Sequence, residues 1–298
     1  GYTCSPTTMA ANTTAVTVSY SEGGVTKTTT TPVTVTSISN TLASNSWATI
    51  RAVSDAGKGS NYWSVGDAKG ITINGKVGAT TISNLAISVF ILGFNHNASR
   101  EGSNRIHFQI GKINGTLVGL VDGNYGNNTS TTGAFTMNTS YTNSGGWNNS
   151  HMRKTVLGSN STSATSPAAN TLLAALPADL RAVMKPATKY SDNTGGGSDA
   201  ASYVTSTTDL LPLLSEFEYH GARTYANSAE KNYQAQYDYY KAGNSKVHYK
   251  HNATGTAAYV WCRSVYSGTG GYFCLVSTDG SAGSTAGYSW ALAPCFFV

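Results

Sequence analysis

Trp261-Cys262-Arg263-Ser264, Tyr272-Phe273-Cys274-Leu275-Val276 and Ala293-Pro294-Cys295-Phe296-Phe297-Val298 follow one another at the C-terminus, separated by loops rich in Gly, Ser and Thr. Each is a short apolar, aromatic-bearing run bounded by turn formers, the pattern of a buried strand. The first two predict a hairpin of 258–266 with 271–278 about a turn at Ser267 to Gly270. Three such runs in succession predict an antiparallel closure that hides the last residues and displays the loops. That arrangement suits a binding module better than an enzyme cleft.

The composition agrees. Charged residues are 11% of the 298-residue chain, against roughly 25% in ordinary soluble domains. Thr, Ser, Asn and 32 glycines supply the polarity, while 40% hydrophobic residues and 18 tyrosines provide for a core. The surface chemistry is that of extracellular and virion proteins. The net charge of +5 is scattered as single Lys and Arg residues, which speaks against a nucleic-acid partner. The longest apolar run, Leu85 to Phe94, falls short of a membrane span. Gly1-Tyr2-Thr3-Cys4 does not read as a signal peptide, and the expectation is a start after processing or within a longer polypeptide. N-x-S/T triplets such as those at Asn114, Asn138, Asn148 and Asn252 are expected by chance in so Ser-, Thr- and Asn-rich a chain.

Residues 1–37 read as a separate β element. Ala15 to Tyr20 alternates, Gly23-Gly24 turns, and a second strand is expected from Val25 to Val35. Residues 38–44 read as a linker. A helix capped at Asn45-Ser46 is expected to carry Trp47, Ile50 and Val53 on one side and to end at Gly57. Strands are expected at Ile71–Asn74, as a pair around Ile82 to Phe94, at Asn104–Ile110 and at Leu210–Tyr219. Helices are expected over Trp147–Leu157 and over 170–184 with a break at Pro177. Residues 122–146 and the Tyr-rich segment 232–240 read as exposed loops. The order predicts an α+β fold with antiparallel sheets and short helices.

Residues 1–37 resemble the last strands of bacterial immunoglobulin-like domains, in the stretch Tyr20-Ser21-Glu22-Gly23-Gly24 with Lys27-Thr28. Over 45–298 an ordered set, Trp63-x-x-Gly66-Asp67-x-Lys69, Gly146-Trp147-x-x-Ser150-x-Met152-Arg153, Leu214-Ser215-x-x-Glu218, Trp261-x-Arg263-Ser264 and Pro294-x-Phe296, resembles an uncharacterised domain family of phage structural and bacterial surface proteins. That family is similar to the C-type-lectin-like fold of sulfatase-modifying enzymes and phage tropism determinants. Ala291-Leu292-Ala293-Pro294 departs from the more usual Gly-Val-Arg-Pro of the family, so an Arg is missing here. The resemblance implies a C-type-lectin-like domain over 45–298 behind the end of an immunoglobulin-like domain. It implies a phage virion or bacterial surface as location, and no established chemistry.

Trp63, Asp67, Trp147, Arg153, Glu218, Trp261 and Arg263 are read as scaffold. The indoles need burial and a partner for N–H, and the guanidinium groups suit Asp67, Glu216 or Glu218. Glu216 and Glu218, two apart on the expected strand, would share a face about 7 Å apart, a spacing an inverting glycosidase pair also uses; ion pairing with the arginines is the stronger reading. His96, His248 and His251 lack metal-ligand spacing, and Asp122, Asn124 and Asn127 lack the acidic density of a calcium loop. Cys262 and Cys274 allow a bridge or two free thiols, and the match to the sulfatase-modifying enzymes does not extend to their cysteine motifs. No phosphate loop is present. No catalytic residue, metal or cofactor is therefore assigned.

Ligand contact is assigned to tyrosines of the loops, Tyr219, Tyr225, Tyr233, Tyr237, Tyr239, Tyr240, Tyr266, Tyr272 and Tyr288, because rigid amphipathic rings among Ser, Asn and Gly are paratope chemistry. The expected function is adhesion without catalysis, to a host-surface glycan or protein, with virion or surface assembly partners engaged through residues 1–37 in an oligomer. A purely structural virion or filament subunit is the alternative, and a glycan-active enzyme the third reading.

Overall fold

Gly23 and Gly24 take φ of +56° and +81°, the doubly left-handed backbone of a two-residue hairpin loop that a side chain resists. They turn the chain inside a three-stranded antiparallel sheet of β1 (Tyr2–Ser5), β2 (Ala15–Glu22) and β3 (Val25–Pro32). The computed structural model describes residues 1–7, 9, 13–33, 35, 37–285 and 287–298. It divides them into two units, Gly1–Asn40 and Thr41–Val298. No described residue of the first unit is buried. β1 is an addition to the expected hairpin. β3 ends at Pro32, short of Val35, and Thr34 of that expected strand lies outside the described residues.

The second unit is α+β. Ser46 accepts the Thr49 amide and starts the helix Trp47–Asp55, which turns Trp47, Ile50 and Val53 inward. The strands that follow are β4 (Ala68–Val77), β5 (Thr80–Phe94), β6 (Ile106–Ile113), β7 (Thr116–Gly119), β8 (Ala187–Asp192), β9 (Val204–Asp209), β10 (His248–Lys250), β11 (Ala253–Ala258), β12 (Val260–Val265), β13 (Phe273–Val276), β14 (Ala282–Thr285) and β15 (Cys295–Phe297). A seven-stranded sheet runs β11-β10-β7-β6-β5-β4, with β15 beside β6. β8 and β9 form a hairpin, and β12-β13-β14 form a meander.

The final residues are interior. β15 pairs Phe296 with Phe108 and Phe297 with His107, and Val298 exchanges backbone hydrogen bonds with Ile106 at 3.0 and 3.1 Å. The Phe296 ring stacks on Phe108 at 5.2 Å, and Trp47 meets Phe108 edge-on at 5.6 Å. A second part of the core joins Phe90 and Leu92 of β5 to Val260 and Cys262 of β12, Cys274 and Val276 of β13, and Tyr219, Tyr237 and Tyr240.

Several local expectations are corrected. The apolar residues Ile82 to Phe94 belong to one 15-residue strand, β5, which pairs with β4 on one side and β6 on the other. Leu210–Tyr219 is not a strand: the chain turns at Ser215 into a helix, Glu216–His220, closed by a reciprocal capping box of Ser215 and Glu218. Trp147–Leu157 is two turns, Gly146–Asn149 and Met152–Val156. Ser150 is extended between them, and the second is wide, with Leu157 N donating to Met152 O. The segment expected as an exposed loop over 122–146 holds no helix or strand before Gly146, yet Phe135, Met137 and Asn143 are buried. The segment 232–240 is no exposed loop either: it enters the helix Asp238–Lys241 with Tyr237, Tyr239 and Tyr240 packed inside. The expected helix over 170–184 consists of Leu172–Ala175 and Ala178–Arg181 on either side of Pro177.

Candidate binding site

The capping box aims Glu218 into the interior, where it meets Arg263 of β12 and Lys189 of β8. Arg263 donates from Nη1 to Glu218 Oε2 and from Nη2 to Oε1 at 2.9 Å, and Lys189 Nζ lies 2.9 Å from Oε1. Burial alone would raise the Glu218 carboxyl; the charges of Arg263 and Lys189 outweigh it and hold the group well below its ordinary range. Lys189 also pairs with Glu101, and Arg263 donates to Ser191 Oγ and Leu213 O. His96, Glu101 and Glu218 bring ligand atoms within 4.8 Å of one another. The Lys189 ammonium is already bonded to both carboxyl groups, and burial pushes the Glu101 carboxyl up against that contact. His96 is pushed down to about 3 by burial and by Lys189, and is neutral.

The remaining scaffold residues find other partners. Arg153 pairs with Asp209 at 2.7 Å rather than with Asp67, Glu216 or Glu218, because β9 brings Asp209 beside it. Trp147 Nε1 donates to Asp209 Oδ2 at 3.2 Å, and Trp261 Nε1 to Phe135 O at 2.9 Å. Trp63 is buried, and Asp67 accepts the Ser64 amide. Glu216 is fully buried and accepts the amides of Tyr225 and Ala226. Neither glutamate reaches solvent, and they stand on a helix rather than a strand face, so the glycosidase spacing argument lapses.

Asp122 gives its oxygens to the amides of Asn124 and Phe135 and to Ser289 Oγ, which ties the 122–146 segment to the C-terminal loop. His248 donor capacity is turned on Lys246 O, and His251 Nδ1 accepts the Val121 amide. Cys262, Cys274 and Cys295 are buried free thiols, and Cys4 is exposed and free. Burial raises all three interior thiols, Cys295 up to about 12, which keeps them protonated.

The predicted ligand tyrosines divide in two. Tyr219, Tyr237 and Tyr240 are core, and Tyr239 nearly so at 8% exposure. The hydroxyls of the first three are satisfied inside: Gln109 Nε2 donates to Tyr219 and Tyr240 donates to Gln109 Oε1, while Tyr237 meets Lys189 and His107. Tyr239 packs on Phe90. Assigning these four to ligand is corrected: polar partners buried on β6 let Tyr219, Tyr237 and Tyr240 serve as core, and ring packing buries Tyr239. Tyr233 stacks on Tyr190 beneath Arg100. Tyr225, Tyr266, Tyr272 and Tyr288 are half-buried at the surface.

A groove of about 500 Å³ gathers Tyr225 and Tyr288 with Tyr259, Trp290 and the residues of β14. Trp290 is its centre. Tyr288 stacks on it at 5.1 Å with 14° between planes, Tyr259 tilts against it at 4.8 Å, and Tyr125 meets it edge-on at 5.1 Å. The loops are clamped: Tyr125 OH accepts the Tyr259 amide, and bridges join Tyr125 to Ser289 and Asn128 to Tyr288. Sequence reasoning missed Tyr125, Tyr259 and Trp290; the alternation Tyr288-x-Trp290 beside the predicted strands was the available signal. Ala286, two residues before Tyr288, lies outside the described residues. A second, larger groove of about 650 Å³ over β4 and β5 carries Lys69 and Asp179, but Lys69 donates to the carbonyls of Ala43 and Asn45.

Fold and site thus define an α+β protein with an ionic core and an aromatic surface groove. Residues 127–298, more than half of the chain, match the family model described as a domain of unknown function (DUF6273), and the chain belongs to that family. The matched residues include Tyr225, Tyr259, Tyr288 and Trp290 of the groove, and both the Arg153–Asp209 and Arg263–Glu218 pairs. Neither a curated protein nor a solved structure matches the chain. Among the described residues no helix is long and apolar enough to cross a membrane.

Proposed function

We propose that this protein is a non-enzymatic adhesion module displayed on a phage virion or a bacterial surface. In this reading residues 45–298 form a C-type-lectin-like domain behind the end of an immunoglobulin-like domain, and the chain binds a host glycan or protein. The observation that carries it is the groove at Tyr259, Tyr288 and Trp290: open to solvent, aromatic and held in place by clamped loops. Preset aromatic rings among hydroxyl side chains are binding chemistry. The interior carboxylates point the same way, since internal donors already occupy their oxygens.

The test is retention of the labelled chain on a panel of whole bacterial cells. Saturable retention without release of surface-polymer fragments supports the reading. Release of fragments would make it an enzyme, and no retention on any cell would overturn it.

A second reading, a structural virion or filament subunit, is favoured by the first unit. None of its described residues is buried, and Tyr2 and Val25 are 76% and 60% exposed. A small sheet needs an apolar face covered to be stable, so residues 1–37 suit an assembly partner within an oligomer. Filaments in electron micrographs of the purified chain, with no cell retention, would favour this reading over the first.

A further inference from the structure

We propose that the groove bounded by Tyr225, Tyr259, Tyr288, Trp290 and the edge of β14 binds an uncharged saccharide without a metal ion. The proposal rests on the adhesion reading and names its ligand class.

The lining carries no acidic or basic side chain: beyond the aromatic rings it consists of Leu275, Ser277 and β14 from Ala282 to Thr285. An anionic polymer would leave water there for no compensating charge, and a cationic one likewise. A metal-bridged sugar needs carboxylate oxygens in the site, and none lines it. The acidic groups beside the lining are engaged elsewhere: Asp279, in the turn between Ser277 and Ala282, accepts the amide and hydroxyl of Ser281, Glu216 accepts the amides of Tyr225 and Ala226, and Asp122 accepts from Asn124, Phe135 and Ser289.

What the lining offers is the complement of a sugar ring. A pyranose has C–H faces and a rim of hydroxyls that both donate and accept. The Tyr288 and Tyr259 rings, both packed on Trp290, line the groove with rigid apolar surface. The hydroxyls of Tyr259, Tyr288, Ser277, Ser284 and Thr285 hydrogen-bond to no other described residue, which leaves their donors and acceptors for ligand or water. The volume lies within the range of roughly 300–1,000 Å³ of small-molecule sites.

An extended peptide is the competing occupant, because among the described residues no strand pairs with the outer edge of β14. Peptide recognition of that kind also needs pockets for alternate side chains. Here the one large aliphatic residue of the lining is Leu275, and a Cβ added at Gly283 would lie 2.7 Å from its Cδ1, so that flank is filled. Stacked rings fit a saccharide better.

Affinity electrophoresis of the full chain through gels containing a neutral β-glucan, mannan or galactan tests the proposal, with tryptophan fluorescence as a second readout. Heparin and polygalacturonate serve as charged controls, and a library of extended decapeptides as the peptide arm. At least one neutral polymer is expected to retard the chain, unchanged by EDTA or by 0.5 M salt (about a 4–5 Å screening length). Tyr259→Ala and Tyr288→Ala should each weaken that binding tenfold or more at an unaltered unfolding midpoint. Tyr259→Phe, which keeps the ring, covers the case in which an alanine variant misfolds, and should retain most of the binding. The proposal is overturned if no neutral polymer retards the chain, if EDTA abolishes binding, if only charged polymers or peptides bind, or if neutral binding survives both alanine variants. Cell retention that persists in those variants would remove the groove's role and leave the adhesion reading standing.

Discussion

Arg263 grips Glu218 with both terminal nitrogens, and neither side chain is exposed to solvent. Glu218 also accepts Lys189 Nζ and the Ser215 amide, so one carboxylate joins the helix Glu216–His220 to β8 and β12. Removing one partner of such a pair strands the other charges without water.

Glu218→Gln is therefore expected to lower unfolding free energy by about 3–5 kcal/mol, read as a lower urea midpoint at unchanged slope. The sign with pH follows from the direction of the shift. The folded carboxyl lies far below the 4.5 of a free glutamate, so the ionised group stabilises the fold above that pH, and the contribution fades as pH falls below it. The variant should lack this acid-side loss; a change under about 1 kcal/mol would contradict the role given to the pair.

Glu230 behaves oppositely. Burial raises its carboxyl to about 7, against hydrogen bonds from Ser264, the Asp192 amide and Gln234. Between 4.5 and about 7 the unfolded chain gives up a proton that the folded chain keeps. Stability should then fall by about 3 kcal/mol as pH rises through that window and level off above it. Urea midpoints of wild type and Glu230→Gln, compared from pH 4.5 to 8, should diverge accordingly; parallel profiles would refute the shift.

Ser215 Oγ accepts the Glu218 amide at 3.0 Å and donates to Gln234 at 2.8 Å. Ser215→Ala should lose about 1–2 kcal/mol, since the cap and a buried partner go together. Thermal unfolding followed by circular dichroism measures it.

Thiol titration checks the core. Of the four cysteines only Cys4 is exposed, and Cys262, Cys274 and Cys295 are free and buried. A thiol reagent should label one site in the native chain and four in denaturant without reductant. Two labelled sites in denaturant would mean a bridge.

Patterns that repeat over a few residues were readable. The Gly23-Gly24 hairpin, the Ser46 cap, the break at Pro177 and the β12–β13 hairpin all rest on local backbone preference or short-range pairing. Where the reading went astray, distant residues decided. Leu210 to Tyr219 has a strand's apolar content, but the Ser215–Glu218 box sets the helix and Arg263 draws Glu218 inward. Tyr237 and Tyr240 look like loop residues until Lys189, His107 and Gln109 are placed beside their hydroxyls. The candidate groove was half legible: Tyr225 and Tyr288 were marked, whereas Tyr125, Tyr259 and Trp290 meet only after three separate loops converge.

Composition and period alone specify an α+β chain closed by aromatic strands, because side-chain alternation and turn chemistry are properties of neighbours. Which tyrosines hold the core and which stay at the surface is set by tertiary structure. A phenol ring is suited to both places, and only the presence or absence of a buried partner for its hydroxyl separates them.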